Sequence, residues 1–203
     1  MKQGFEWKLK DVLMVGINGV LFSILYLGMV YLGTFLTGIM TPFGLGAAGY
    51  EPIFGIWFMA GIFTVYVIQK PGVGLVAEML AALLEVLMGN MFGPTVFITG
   101  MVQGLGAELG FAIFRYKKYD MRSVLCSSVF CTVLSFLWNT WNSQYYLLEG
   151  RIIAIMVVIR LISAVIFGGI GSKLLADGLA RAGVLKGYAL GQNRGLDLDG
   201  DEA

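Results

Sequence analysis

Six long apolar runs constrain the fold more than any other feature of this sequence. Each run is bounded by a charged residue, a proline or a cluster of glycines. The runs are Asp11–Leu36, Pro52–Ile68, Val73–Met88, Pro94–Phe114, Val124–Trp141 and Ile152–Leu175. A helix that crosses the hydrocarbon core of a bilayer, about 30 Å thick, needs about 20 apolar residues. The runs therefore predict an all-α integral membrane fold with six transmembrane helices.

The composition agrees with a chain in lipid and leaves no room for a soluble domain. Of the 203 residues, 58% are hydrophobic and 13% are charged, whereas a soluble domain is about half apolar and about a quarter charged. We expect residues 1–190 to form a single six-helix transmembrane domain, whose first helix is retained rather than cleaved. The polar, acidic residues 191–203 are predicted to be a disordered tail.

The distribution of basic residues predicts the orientation of the chain in the membrane. Twelve of the 14 Lys and Arg residues lie in residues 2–10, at residue 70, in residues 115–122 and in residues 173–194. With six crossings, all of these segments lie on the same side as both termini. Since basic loops stay inside the cell, we expect both termini to be cytoplasmic. The opposite loops, rich in Gly, Pro and aromatic residues, are then extracellular.

Several classes of function are disfavoured by what the sequence contains. There is no His, and Cys126 and Cys131 lie five residues apart in an apolar run, so we expect buried thiols rather than a disulfide, a metal site or a His-based triad. No cofactor is predicted. The basic residues form no continuous stripe, which disfavours nucleic-acid binding. No Gly-x-x-x-x-Gly-Lys-Ser/Thr run is present, so ATP would have to be hydrolysed by partner subunits.

Charged and polar residues inside the apolar runs are the first candidates for a functional site. An ionisable side chain costs about 2.5 to 3.5 kcal/mol at the centre of a membrane helix, so it needs a reason to be there. Glu51, Glu85 and Gln103 fall toward the outer ends of their runs and are predicted to line one outward-facing cavity. The alternative for Glu51 is that it lies at the membrane surface and contacts only lipid headgroups, without lining a cavity.

Arg160 is the one basic residue deep inside a run, and we expect it to neutralise a carboxylate. Glu78 and Glu108 lie deeper than Glu85, at a similar depth to each other. A buried charge is tolerated when it is paired. The sequence therefore predicts a structural ion pair between Arg160 and either Glu78 or Glu108.

Aromatic and amide residues gather at the outer ends of the runs. The residues Trp138-Asn139-Thr140-Trp141-Asn142 mix rings and amides at one helix end, and Trp57 and Tyr145 lie at the same membrane depth. An aromatic belt at the headgroups is the alternative for any one of these rings. Together with two carboxylates, the rings suit a flat organic cation, because cation–π attraction reaches about 2 kcal/mol when it is desolvated.

Small residues suggest two surfaces for close helix packing. Gly16, Gly19 and Ser23 form a narrow ridge on the first run, which either packs inside the bundle or contacts an outside partner. The fourth run has two glycine pairs that favour packing inside the bundle, Gly100 with Gly104 and Gly106 with Gly110.

A set of short motifs from the first run to about Gly191 carries a family resemblance. The motifs are Tyr50-Glu51-Pro52, Gly55-Ile56-Trp57-Phe58, Lys70-Pro71-Gly72, Glu78 with Glu85, Gly89-Asn90 with Gly93-Pro94, Val102-Gln103-Gly104-Leu105-Gly106-Ala107-Glu108 and Arg160-Leu161-Ile162-Ser163. They resemble the YkoE-type substrate-binding (S) components of energy-coupling factor (ECF) transporters. That family is assigned to the uptake of thiamine and hydroxymethylpyrimidine.

The resemblance implies a fold, partners and residue roles. It implies six helices with the ligand near the outer face, a transmembrane coupling (T) subunit and two ATPase (A) subunits. It also implies that Glu51, Glu85 and Gln103 serve the aminopyrimidine or the thiazolium, and that the ridge of Gly16, Gly19 and Ser23 faces the coupling subunit. The full predicted ligand-binding set is Glu51, Trp57, Glu85, Asn90, Gln103, Trp138, Asn139, Trp141 and Tyr145.

The sequence therefore favours a binding protein without its own catalysis, which captures thiamine or its hydroxymethylpyrimidine precursor at a bacterial cell membrane for ATP-driven uptake. Two alternatives stay open at this point. A stand-alone proton-coupled carrier would use the buried glutamates as relays. An intramembrane enzyme would use Glu78, Glu85 and Glu108 as acid and base groups.

Overall fold

The computed structural model describes residues 6–193, which form helices and turns without a β-strand in that range. The α-helices are α1 (Leu9–Met40), α2 (Met59–Ile68), α3 (Val73–Leu87), α4 (Thr95–Ala112), α5 (Met121–Asn142), α6 (Gly150–Ser163) and α7 (Ser172–Arg181). Short 3-10 helices cover Thr41–Phe43, Gly46–Ala48, Glu51–Phe58 and Tyr145–Leu147, and a π-helical segment, Ala164–Gly171, joins α6 to α7. Most of the predicted disordered tail, residues 194–203, lies outside the described residues.

Five helical stretches within the described residues are long and apolar enough to cross a membrane. They are Leu9–Phe43, Gly46–Ile68, Thr95–Ala112, Met121–Asn142 and Gly150–Arg181. The predicted all-α, multi-pass membrane fold is therefore confirmed. The third apolar run forms α3, whose 15 residues extend only about 22 Å, less than the bilayer core of about 30 Å. A sixth crossing thus stays a prediction.

Glycines on α4 allow this helix to contact α3 and α5 closely. A Cβ atom added at Gly100 would lie 2.4 Å from the Cβ of Ala82 on α3, and one added at Gly110 would lie 2.2 Å from the backbone nitrogen of Ser127 on α5. Neither position has room for a side chain. The prediction that the glycines of the fourth run pack inside the bundle is confirmed at both positions.

The small residues of α1 do not all lie on one surface. Gly19 and Ser23 are buried; a Cβ at Gly19 would lie 2.7 Å from the side chain of Leu80 on α3, and the Ser23 hydroxyl donates to the carbonyl of Val20. The prediction that Gly19 and Ser23 contact a partner is therefore wrong, because both are buried within the chain itself, Gly19 against α3. Gly16 has open space beside it, and its contact with a partner stays a prediction.

The two ends of the bundle differ in chemistry. At the end where α1 begins and α2 ends, Lys70 pairs with Asp11 at 2.7 Å. The end of the last span carries a second pair, Lys173 with Asp177 at 2.5 Å, and the Tyr66 hydroxyl donates to the same Asp177 carboxylate. The opposite end holds a cavity between the helices.

Candidate ligand-binding site

A cavity of about 210 Å³ lies between the ends of α1, α3, α4 and α5 that are remote from the Lys70–Asp11 pair. The 3-10 helix Glu51–Phe58 and the turn after α5 complete its wall. Carboxyl, amide and aromatic side chains dominate the lining, which includes Glu78, Glu85, Asn90, Gln103, Asn139, Asn142, Tyr26, Tyr50, Phe54, Trp57, Phe92 and Tyr145. Apolar walls with a few convergent polar groups are typical of sites for small organic molecules.

Glu85 places a buried carboxyl group in this cavity near the end of α3. Its Oε1 accepts a hydrogen bond from Asn90 Nδ2 at 2.7 Å. Its Oε2 makes no hydrogen bond within the described residues, although the Trp57 side chain is close to the carboxyl group. None of the ion pairs within residues 6–193 includes Glu85. The geometry thus leaves one carboxyl oxygen of Glu85 for a ligand.

Asn90 holds the Glu85 carboxyl group from a tight turn after α3. The turn lies between Gly89 and Gly93, which have φ values of 95° and 67°, a left-handed conformation that favours glycine. The Asn90 Oδ1 atom accepts from the backbone N–H of Phe92 at 2.7 Å. Both ends of the Asn90 amide are therefore used, so the side chain is fixed with its N–H directed at Glu85.

Glu78 lies two turns before Glu85 on the same face of α3 and also lines the cavity. Its Oε2 accepts from the backbone N–H of Gly61 at 2.7 Å and from the Tyr26 hydroxyl at 3.3 Å. Tyr26 in turn accepts from the backbone N–H of Ala60 at 2.9 Å. The Oε1 of Glu78 has no hydrogen-bond partner within the described residues.

The carboxylate that pairs with Arg160 is Glu51. Arg160 Nε and Nη2 donate to the two carboxylate oxygens of Glu51, each at 2.6 Å, and both side chains are fully buried. The guanidinium also lies 3.6 Å from the ring centre of Phe54 and 4.9 Å from that of Phe136. A two-point contact of this kind is the strongest that arginine makes with a carboxylate.

This geometry corrects two predictions. The predicted ion pair between Arg160 and Glu78 or Glu108 is wrong. The 3-10 helix that begins at Glu51 packs against α6, and this packing places the Glu51 carboxylate on Arg160 instead. Glu51 was also predicted to bind the ligand, yet both of its oxygens are used by Arg160 and it does not line the cavity. The charge of Glu51 is thus already balanced within the protein.

Glu108 has a structural partner of a different kind, the first turn of α3. Its Oε1 accepts from the backbone N–H groups of Gly74 and Leu75 at 2.7 and 3.4 Å, and its Oε2 accepts from the Tyr116 hydroxyl at 2.6 Å. The first N–H groups of a helix have no partner within the helix, and α3 has no side-chain cap of its own. Glu108 supplies that cap from α4.

The remaining predicted site residues divide into two groups. Trp57, Gln103, Asn139 and Tyr145 line the cavity together with Glu85 and Asn90. Trp138 does not line it and instead donates from Nε1 to the Thr99 hydroxyl at 2.9 Å. Trp141 is 77% exposed on the outside of the bundle. The clustering predicted for Glu85 and Gln103 is therefore present, whereas Trp138 and Trp141 lie outside the cavity.

Some lining residues were not among the predicted site residues. Tyr26 lies in the middle of a long apolar run, where an isolated Tyr gives no signal of its own. Phe92 and Tyr50 pack edge to face with their ring centres 5.5 Å apart, and this contact joins two loops that are far apart in sequence. Asn142 is the last residue of Trp138-Asn139-Thr140-Trp141-Asn142. Its place in this run of rings and amides is the sequence signal that could have identified it as a lining residue.

Comparisons with known proteins agree on one family. A family model described as the permease component of an ABC-type cobalt transport system matches residues 10–134. The HMP/thiamine permease protein YkoE of Bacillus subtilis (strain 168) is 39% identical over 187 residues, which is 92% of this chain and 92% of the relative.

A solved structure extends the similarity to the fold. It is described as the crystal structure of an S-component of ECF transporter, and it matches with a TM-score of 0.90 at 37% identity over 98% of this chain and 99% of that chain. Both similarities span nearly the whole sequence and concern transport proteins rather than enzymes, which removes the intramembrane enzyme from consideration. The chain belongs to the YkoE family of ECF transporter S components.

Proposed function

We propose that this S component captures thiamine or hydroxymethylpyrimidine in the cavity between α1, α3, α4 and α5. The observation that carries the proposal is the Glu85 carboxyl group, which lies among Trp57, Tyr50 and Tyr145 with one oxygen left for a ligand. A permanently charged organic cation taken out of water needs an anion beside it. Aromatic faces add cation–π attraction and van der Waals contact with a flat ring.

The other buried carboxylates already have partners in the protein, which supports Glu85 as the group that balances the ligand's charge. Glu51 already neutralises Arg160, and Glu108 binds the first turn of α3. Asn90 orients Glu85, while Gln103 of α4 and Asn139 of α5 supply further amide groups to the lining. These amides suit the nitrogen-rich edge of a pyrimidine, which carries both donors and acceptors.

The cobalt in the family model's description receives no support from the residues of this chain. The sequence contains no His. Within residues 6–193, no group of three or more His, Cys, Asp or Glu side chains is placed to hold a metal ion. The polar and aromatic lining of the cavity fits an organic ligand better.

The orientation that we propose has six crossings, with α3 as a short third crossing, and both termini in the cytoplasm of a bacterial cell. Support comes from the end of the bundle that carries Lys70 and Lys173, since basic residues stay inside the cell. The cavity then opens to the outside. A transmembrane coupling subunit and two ATPase subunits would supply the energy, since this chain has no ATP-binding run.

Binding of thiamine and hydroxymethylpyrimidine to the purified chain in lipid nanodiscs, measured by isothermal titration calorimetry, tests the proposed function. Glu85→Gln should weaken thiamine binding at least about tenfold, or about 1.4 kcal/mol. Hydroxymethylpyrimidine should be affected less, because it lacks the permanent charge.

Glu149→Gln is the matched control. It removes an exposed carboxylate from the same end of the bundle without changing the cavity, so both affinities should stay the same. Equal thiamine affinity for wild type and Glu85→Gln would contradict the assignment of the charge-balancing role. A wild-type chain that binds neither compound would contradict the proposed ligand class.

The proton-coupled carrier predicts a different result in a separate measurement. If the chain alone in liposomes accumulates thiamine when a pH gradient is applied, the carrier is supported. We expect binding without accumulation.

A further inference from the structure

The buried carboxyl group of Glu78 has an incomplete set of hydrogen bonds. The residue is 1% exposed, and Gly61 and Tyr26 both donate to the same oxygen, Oε2. The other oxygen, Oε1, has no partner within residues 6–193. Since Glu78 also lines the cavity, this oxygen is a buried polar atom at the inner end of the candidate site.

Among residues 6–193, the groups around Glu78 provide no positive charge. From α1 it meets the Tyr26 hydroxyl, from α2 the backbone of Gly61, and along α3 the carboxyl group of Glu85. On the α5 side the neighbouring titratable group is the buried thiol of Cys131. Arg160, the buried cation of the described residues, is paired with Glu51.

These surroundings favour the un-ionised form of the Glu78 carboxyl group. An ionised carboxylate with no cation, buried in the interior of a membrane protein, loses hydration that nothing replaces. Because two N–H or O–H donors point at Oε2, that oxygen is the carbonyl oxygen and the proton belongs on Oε1. The Oε1 hydroxyl is then a buried donor without an acceptor, which is unfavourable until an acceptor arrives.

We propose that Glu78 is a second ligand-binding carboxyl group, which stays protonated and donates from Oε1 to an acceptor atom on the inner end of the ligand. The inference rests on the proposed function and deepens it. Glu85, two turns outward along α3, acts as the anion. The two carboxyl groups thus divide the roles of neutral donor and charged acceptor between the inner and the outer part of one cavity.

This division specifies the class of ligand and its direction in the cavity. Seven residues of α-helix separate Glu78 from Glu85, or about 10 Å along the axis. A neutral heteroaromatic ring with an acceptor nitrogen, such as an aminopyrimidine, fits the inner donor. A cationic ring linked to it fits the outer carboxylate. An inner ring whose nitrogen carries a hydrogen instead would leave the Glu78 hydroxyl without an acceptor.

Two substitutions at Glu78 separate a neutral donor from an anion. Glu78→Met keeps the side-chain length and removes all hydrogen bonding, whereas Glu78→Gln keeps an N–H donor and the carbonyl that accepts from Gly61 and Tyr26. Calorimetry in lipid nanodiscs should show that Glu78→Met binds both thiamine and hydroxymethylpyrimidine at least about tenfold more weakly than wild type. Glu78→Gln should rescue most of that loss, in contrast to Glu85→Gln, which should weaken mainly thiamine binding.

Infrared spectroscopy of the ligand-free protein gives a readout that does not depend on the binding data. The carbonyl stretch of a protonated carboxyl group should be present at neutral pH in wild type and in Glu85→Gln, where Glu85 cannot contribute to it. The band should be absent in the double variant Glu78→Gln/Glu85→Gln. Thiamine should shift this band to lower frequency as the hydroxyl begins to donate. This measurement still decides the protonation state if Glu78→Met does not fold.

The outcomes distinguish the inference from the proposed function. The inference alone is overturned if wild type binds thiamine while Glu78→Met binds it equally well, if Glu78→Gln is as weak as Glu78→Met, or if the protonated band is absent in wild type. A wild type that binds neither thiamine nor hydroxymethylpyrimidine overturns the proposed function and, with it, the ligand contact. In that case the infrared band still reports whether Glu78 is protonated.

Discussion

At the scale of single residues, the Arg160 guanidinium has an enclosed environment of two aromatic rings, the Ser135 hydroxyl and the Glu51 carboxylate. Both members of the ion pair are fully buried. Removing one partner of a buried pair leaves an uncompensated charge and destabilises a protein by about 3 to 5 kcal/mol. The Glu51–Arg160 pair is therefore expected to act on stability rather than on ligand binding.

Glu51→Gln should lower the free energy of unfolding by about 3 to 5 kcal/mol, because the positive charge of Arg160 then has no anion. Chemical unfolding in detergent micelles measures the change. The double variant Glu51→Gln/Arg160→Met should recover much of the loss, since it removes both charges together. If Glu51→Gln alone unfolds like wild type, the buried pair does not have the structural role that its geometry indicates.

The sequence identified which residues are unusual but not how they pair. Six polar or charged residues in or beside the apolar runs were selected by their energetic cost, and all six are buried in the structure. Depth along a helix placed Glu85 and Gln103 in one cavity correctly. It could not choose among Glu51, Glu78 and Glu108 as the partner of Arg160, because that choice depends on how the helices are rotated and packed.

At the scale of elements, α3 is the short helix that carries both cavity carboxyl groups, and its first turn is held by Glu108 of α4. The Tyr116 hydroxyl holds Glu108 in turn. Burial raises the pKa of the Tyr116 phenol above its ordinary value, and the Glu108 carboxylate raises this pKa further. The hydrogen bond between Tyr116 and Glu108 therefore contributes its full stabilisation below about pH 10, the ordinary pKa of a tyrosine. This stabilisation is lost as the pH rises through the raised pKa of Tyr116 in the folded state.

Tyr116→Phe should destabilise the protein by about 1.5 to 3 kcal/mol, the range for a hydrogen bond to a charged group. Amide hydrogen exchange at Gly74 and Leu75 should become faster, because the cap of α3 is less well fixed. Thermal unfolding and exchange mass spectrometry in nanodiscs measure the two effects.

Tyr119→Phe is the matched control for this variant. Tyr119 lies on the same turn and stacks on Phe111 with ring centres 5.6 Å apart, but its buried hydroxyl has no hydrogen-bond partner within the described residues. Its removal should leave stability unchanged or slightly increased. Equal losses in Tyr116→Phe and Tyr119→Phe would contradict the role of the bond to Glu108, since Tyr119→Phe removes a hydroxyl that makes no such bond.

The apolar runs predicted the helices well except where the backbone is not α-helical. The run that starts at Pro52 lies within a span of Gly46–Ile68 whose first part is 3-10 helix, so α-helical spacing assigns its side chains to the wrong faces. The last run extends to Gly150–Arg181 and contains the π-helical segment Ala164–Gly171. A hydropathy pattern detects length and burial but not these changes in helical pitch.

At the scale of the whole molecule, the positions of the loops test the proposed orientation. Leu147 is 71% exposed in the turn near the cavity end, and Lys118 is exposed in the turn between α4 and α5. In a background with Cys126 and Cys131 replaced by Ala, Leu147→Cys should react with a membrane-impermeant maleimide on intact cells. Lys118→Cys should react only after the cells are permeabilised, and the reverse pattern would invert the assigned orientation.

The pairing of Arg160 with Glu51 affects which ligands the cavity can select by charge. Because that cation is balanced inside the protein, the lining of the cavity presents carboxyl groups and amides, with no Lys or Arg among its described residues. A phosphate ester of the proposed ligand, thiamine, would bring two negative charges toward Glu85 and find no guanidinium or ammonium group to receive them. Discrimination between free and phosphorylated forms would then arise from electrostatic repulsion, without any steric filter.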